Sequence, residues 1–169
     1  SSDVCSSDLS GWTPVMEPGT EDPEFAFRSR VVLDSRVCRS ADGGRTWQRS
    51  DTVAVANKTD RWFIPFGDIS EGPNGLAVPF YSSPPDGTRN TAWMLRSDDD
   101  GQTFGDGSII AADDFNETDI LHRGEGNWLA ACRTKLDGHV QLFASSDDGH
   151  VWQDRGPLTL PGQHPPHLT

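Results

Sequence analysis

Ser40-Ala41-Asp42-Gly43-Gly44-Arg45-Thr46-Trp47 recurs as Ser97-Asp98-Asp99-Asp100-Gly101-Gln102-Thr103-Phe104, and again as Ser145-Ser146-Asp147-Asp148-Gly149-His150-Val151-Trp152. The shared pattern is S-x-D-x-G-x-T followed by Trp or Phe, and its starts lie 57 and 48 residues apart. That period is close to the roughly 40–50 residues of one four-stranded propeller blade. A short Asp side chain accepts hydrogen bonds from the backbone of its own turn, and Gly adopts the positive φ of a tight hairpin, so each copy reads as a structural turn. The aromatic residue at its end is expected to tuck beneath the turn. A strand-like run precedes each copy (Val31 to Cys38, Ala92 to Leu95, Val140 to Ala144), which places the turn between the third and fourth strands of a blade. Asp98-Asp99-Asp100 is read the same way, as a fold staple rather than a calcium loop or a pair of catalytic carboxylates. Val151 stands where the other copies have Thr, and this predicts the loss of one side-chain hydrogen bond in the third turn.

Composition agrees with an all-β chain. Its 169 residues include 12 prolines and 17 glycines, with no long apolar stretch of helical period. Short Val/Ile/Leu runs, cut by Gly, Asp, Asn or Pro, alternate with six tryptophans and eight phenylalanines, as strands between turns do. A formal charge of −12 argues against nucleic acid or an anionic membrane surface as partner, since both require a basic face. Any anion site must then be a local arginine cluster. The three cysteines form no C-x-x-C pair, so neither a zinc site nor a disulfide framework is expected. Cys38 and Cys132 sit in apolar runs and are read as small buried hydrophobes. No run of 18 apolar residues suggests a membrane span.

Residues 1–9, SSDVCSSDL, are what AGT TCA GAC GTG TGC TCT TCC GAT CTN encodes, the end of a common short-read sequencing adapter. They are read as a non-native scar, with residues 10–169 as the genuine sequence, beginning inside a gene. Removing Asp3 and Asp8 brings the charge from −12 to −10.

The repeat resembles the Asp-box, or bacterial neuraminidase repeat, of sialidases and related propeller proteins, and the resemblance covers Ser10 to Thr169. Sialidase catalytic domains are six-bladed, so the resemblance implies an incomplete six-bladed β-propeller of about three blades, each of four antiparallel strands. The segments fall into blade order. Asp68 to Tyr81 reads as an inner hairpin, Thr91 to Ala111 as an outer pair, Glu117 to about Leu160 as the next blade, and His164 to Thr169 as the start of another inner strand.

Asn116-Glu117-Thr118-Asp119-Ile120-Leu121, a polar turn centred near Glu125, and Trp128 to Arg133 read as a hairpin. Positions equidistant from that centre face each other, so Glu117 and Arg133 are expected to be cross-strand neighbours at the end away from the turn. Inner-strand ends line the axial pocket of a propeller. The pair matches the sialidase pattern of a Glu opening an inner strand and an Arg of the substrate clamp sixteen residues later. By that resemblance Arg133 would bind a sialic acid carboxylate through its planar fork, and Glu117 would activate a nucleophilic tyrosine, whose phenol is otherwise too weak an acid at neutral pH. An ordinary cross-strand salt bridge is the alternative.

The nucleophile and the other arginines of the family fall in blades outside this stretch. Tyr81, the single tyrosine, ends an inner strand and is a candidate pocket-lining residue rather than the nucleophile. Asn116, beside Glu117, is a further candidate substrate-binding residue. The acid/base aspartate of sialidases precedes the first Asp-box. Here Glu21-Asp22-Pro23-Glu24 supplies carboxylates at a different spacing, with Asp22 the candidate and a solvated acidic turn the alternative. His164-Pro165-Pro166-His167 opens an extended segment, and His164 is a candidate lining residue rather than a metal ligand.

The expectation is therefore an exo-α-sialidase-like glycoside hydrolase acting on terminal sialic acids of glycans. It is monomeric when complete, needs no metal or other cofactor, and is secreted or periplasmic with its leader outside this stretch. The stretch by itself is expected to be inactive. A non-catalytic Asp-box binding or assembly module, or a propeller glycosidase for another sugar, is the competing expectation.

Overall fold

The computed structural model describes residues 12–14, 30–58, 61–84 and 88–169. Among these the chain is all-β, with every ladder antiparallel and no helix. Strand β1 (Trp12–Pro14) pairs with β2 (Arg30–Val32), and β3 (Cys38–Arg39) pairs with β4 (Gln48–Arg49). The next sheet holds β5 (Trp62–Pro65), β6 (Ser70–Gly72), β7 (Gly75–Ser83), β8 (Thr91–Ser97) and β9 (Gly105–Ala111). Its order is β5-β7-β8-β9, with β6 lying beyond β5 along the same edge of β7. The last sheet is a four-stranded meander of β10 (Phe115–His122), β11 (Trp128–Thr134), β12 (Val140–Ser145) and β13 (Gln153–Pro157).

The last two sheets stack face to face, with β10 against β6, β7 and β8. Successive side chains of a strand point to opposite faces, and the sequence of each central strand is apolar on both. Ala77 and Met94 therefore enter one core with Ile120, Trp128, Ala130, Cys132 and Phe143 of the following sheet. Val78 and Leu95, one residue on, enter a second core with Phe80, and Val55, Phe63, Ile69 and Phe104 pack against it. Full burial of each large apolar side chain contributes about 1.5–3 kcal/mol, so these inter-sheet layers set how the sheets sit together. Ala92, Ala130 and Cys132, all fully buried, keep the layer thin enough for close approach.

The repeat turns join β3 to β4, β8 to β9 and β12 to β13. In the first, Asp42 accepts from the amides of Arg45 (3.0 Å) and Thr46 (2.9 Å) and from the Thr46 hydroxyl (2.7 Å). Ser40 donates to Asp42 at 2.8 Å and accepts from the Gly44 amide at 2.8 Å. The second turn repeats this arrangement, with Ser97, Asp99, Gly101 and Thr103 in the same roles. In the third, Asp147 bonds Ser145 at 2.6 Å and the Val151 amide at 2.9 Å, and position 151 has no hydroxyl to add. The Thr hydroxyl, followed by the Thr amide, holds the carboxyls of Asp42 and Asp99 down to about 2. Asp147 is also lowered, with Ser145 the leading cause.

The inner hairpin expected over Asp68 to Tyr81 is present as β6 and β7, and β5, beginning at Trp62, adds a further short strand along the same edge of β7. One expectation is corrected. Residues 164–169 form no strand; they run as irregular chain against β10. Trp47 folds back onto its turn as expected, its indole N–H donating to the Gly44 carbonyl at 3.0 Å, and stays 41 % exposed.

Candidate functional site

The β10–β11 hairpin turns at residues 123–127, where the Arg123 amide donates to the Asn127 carbonyl at 2.8 Å. Its ladder pairs Thr118 with Cys132 and His122 with Trp128, the register that places Glu117 beside Arg133. A register shift between Phe115 and Thr118 loosens the ladder there and frees the Glu117 side chain to reach across. Arg133 Nη1 donates to Glu117 Oε1 at 2.8 Å, with the two side chains 25 % and 24 % exposed. Neither is deeply buried, so the pair stands at a rim rather than in the core.

The other oxygen of the carboxylate, Oε2, is buried with no hydrogen-bond partner among the described residues; so are Asn116 Oδ1 and Arg133 Nε. His164 Nδ1 lies 3.9 Å from Glu117 Oε2. The structure thus brings together Glu117, Arg133 and His164, with Asn116 adjacent in β10. Tyr81 lies half-buried in β7 of the neighbouring sheet, paired in register with Ile64 and Ala92. Asp22 lies outside the described residues.

Two residues to the C-terminal side of Glu117 stands a carboxylate that pattern reading did not single out. Asp119 is 2 % exposed. Its Oδ1 accepts from the amides of Ile120 (3.0 Å) and Asp68 (3.4 Å), and its Oδ2 accepts from the Leu168 amide at 2.7 Å. His167 Nδ1 stands 3.2 Å from the same Oδ2. Gly67, at φ +90, approaches so closely that a Cβ would lie 2.7 Å from the Thr118 carbonyl and 2.8 Å from Asp119 Oδ1. Asp119 therefore ties β10 to the preceding sheet and to the 164–169 segment at once. The alternation of acidic residues in Asn116-Glu117-Thr118-Asp119 was the available signal.

At the same rim, the β11–β12 turn carries His139, whose ring nitrogens face Asp137 Oδ1 at 2.6 Å and Gln141 Oε1 at 3.0 Å. The Asp137 contact leads in raising the imidazole, while Asp137 is lowered chiefly by the His139 amide. A cavity of about 360 Å³ lies at the other end of the sheet, lined by Arg123, Trp128, Leu129, Ala144 and Arg155 among others, and so is separate from the pair. Among the described residues no group of three or more His, Cys, Asp or Glu is placed to hold a metal ion. Among them also, no helix is long and apolar enough to cross a membrane.

Successive antiparallel sheets stacked face to face in chain order are the blades of part of a β-propeller. No family model matches the chain, and no curated protein does. Among solved structures, the fold is similar to that of the Hadza microbial sialidase Hz136, with a TM-score of 0.58 at 18% sequence identity. The match covers 87% of this chain and 27% of that one, so the chain spans about a quarter of that sialidase. At such identity the likeness is one of fold.

Proposed function

We propose that the chain is part of an exo-α-sialidase-like glycoside hydrolase of the Asp-box type, built on a six-bladed propeller and acting on terminal sialic acids of glycans. The observation that carries this reading is the 2.8 Å Glu117–Arg133 contact at the rim of an inner hairpin. One guanidinium nitrogen is committed to Glu117, and the rest of the fork remains to receive a substrate carboxylate by paired hydrogen bonds. Glu117 is the group that takes a proton from a nucleophilic tyrosine, retention following from a glycosyl-tyrosine intermediate. That tyrosine and the remaining arginines come, on this reading, from segments beyond residues 10–169. Asn116, His164 and Tyr81 are assigned to lining the substrate cleft, and Asp22 to acid/base chemistry. The protein acts without a cofactor, as a secreted or periplasmic monomer.

The test is to recover the flanking DNA, express the uninterrupted gene product and assay a fluorogenic sialoside. Turnover that Arg133→Ala abolishes through loss of substrate binding supports the reading. Turnover or sialic acid binding that is absent from the natural protein, with Arg133→Ala altering only stability, favours a non-catalytic binding module. Turnover of a different glycoside alone favours a propeller glycosidase for another sugar.

A further inference from the structure

Glu117 Oε1 is held by Arg133, yet Oε2 is buried without a hydrogen bond among the described residues, and an unanswered buried acceptor costs about 1–3 kcal/mol. His164 Nδ1 lies 3.9 Å from it. That distance is longer than a hydrogen bond, so the imidazole stands beside the oxygen rather than bonded to it.

The placement of His164 is set by several contacts that do not involve Glu117. The Gly162 amide donates to the Asp137 carbonyl at 2.9 Å, which fixes the chain just before the histidine. Asp119 receives the Leu168 amide and faces His167, which fixes the chain just after it. Between these anchors the imidazole lies over Gly138, where a Cβ would come within 3.1 Å of its Cδ2. Gly138 also holds φ +73, a conformation that side chains rarely take.

We propose that His164 is a positioning residue for Glu117: the segment anchored on Asp119 holds its imidazole against Oε2, so the carboxylate is fixed between Arg133 and His164. An ionised carboxylate has about four lone-pair sites, so one hold on each oxygen fixes its plane and still leaves acceptor capacity toward the open rim. Asp119 is the anchor of this arrangement and does not itself touch Glu117's partners. The consequence for catalysis rests on the sialidase reading; the positioning itself does not.

The experiment uses carboxyl-13C glutamate labelling, with the Glu117 resonance identified by its loss in Glu117→Gln. His164→Ala and Gly138→Ala are expected to move that resonance, the second without removing any polar group, while His164→Gln, which keeps a donor, stays nearer the wild-type position. A Glu117 resonance that stays in place in His164→Ala overturns the proposal, whatever the folding of the Gly138 variant. In the natural protein with a sialoside, His164→Ala should lower kcat about tenfold with KM within about twofold, since misplacing a reacting group costs rate rather than binding. A resonance that moves while wild-type protein turns over no sialoside sinks the sialidase reading and leaves the positioning standing. Full turnover by His164→Ala overturns the catalytic consequence of the positioning.

Discussion

Arg96, the residue of β8 that directly precedes the second repeat turn, donates from Nη2 to the Asp148 carbonyl at 2.7 Å, inside the turn of the following sheet. Its other terminal nitrogen reaches the Asp106 carbonyl at 2.6 Å. Arg39 stands at the same place before the first turn, and its guanidinium reaches the Asp100 carbonyl of the second turn. The arginine ahead of one turn thus grips the turn of the next blade. Ala144 occupies that position before the third turn, beside the cavity at that end of the sheet.

The grip predicts a stability effect. Arg96→Ala removes a mostly buried guanidinium and leaves the Asp148 carbonyl without its donor, which should destabilise the chain by about 2 kcal/mol in urea unfolding. Arg96→Lys should recover little, because one ammonium cannot span both carbonyls. The more exposed Arg39 contact should count for less in Arg39→Ala.

The three turns predict an acid limb. The carboxyls of Asp42 and Asp99 lie at about 2 in the folded chain, below the ordinary 3.8. A carboxyl lowered by folding contributes stability that is complete above its unfolded value and is lost as pH falls through the folded one. The contribution of these two should therefore be intact above about pH 4 and gone below about pH 2. Thr46→Val with Thr103→Val should raise both titration midpoints and start acid unfolding at higher pH, read by tryptophan fluorescence. Val151→Thr should act in the opposite sense on Asp147, lowering its midpoint in a carboxyl NMR titration.

Gly67→Ala tests the close approach at Asp119. With positive φ and a backbone carbonyl 2.7 Å from the new Cβ, the two sheets must part. A loss of at least about 2 kcal/mol is expected in denaturant unfolding, combining backbone strain with separation of packed sheets.

Cys132 is fully buried, and burial pushes its thiol up to about 12. It should be inert to a disulfide reagent at neutral pH in the folded chain, because the reactive thiolate is nearly absent. Its labelling should appear only with unfolding in urea. Rapid labelling of native protein would show that β11 is not held in the core.

What could be read from sequence followed the range of the interactions. Each repeat turn closes on itself within five residues, so Asp42, Asp99 and Asp147 were legible in their roles, and the missing hydroxyl at Val151 was too. The Glu117–Arg133 contact was legible because one hairpin sets its register. Asp119 was not, since the amides it binds include those of residues 51 positions before and 49 after it. The Arg39 and Arg96 contacts end on backbone carbonyls, which leave no residue-type signature in the partner. His164 to Thr169 read as a strand because its prolines favour extended chain, but two prolines also remove the amide donors a ladder needs.

In the last sheet the third repeat turn bonds to the β10–β11 bend through Asp148 and Gly126, at the opposite end from Glu117 and Arg133. The latch of the third turn and the Glu117–Arg133 pair thus occupy different ends of the same strands. The backbone contacts that make the latch involve none of residues 134–139 and 158–164, which lie around the pair. A scaffold divided in this way lets the surroundings of the pair vary in sequence while the contact between third turn and β10–β11 bend keeps the strands in step.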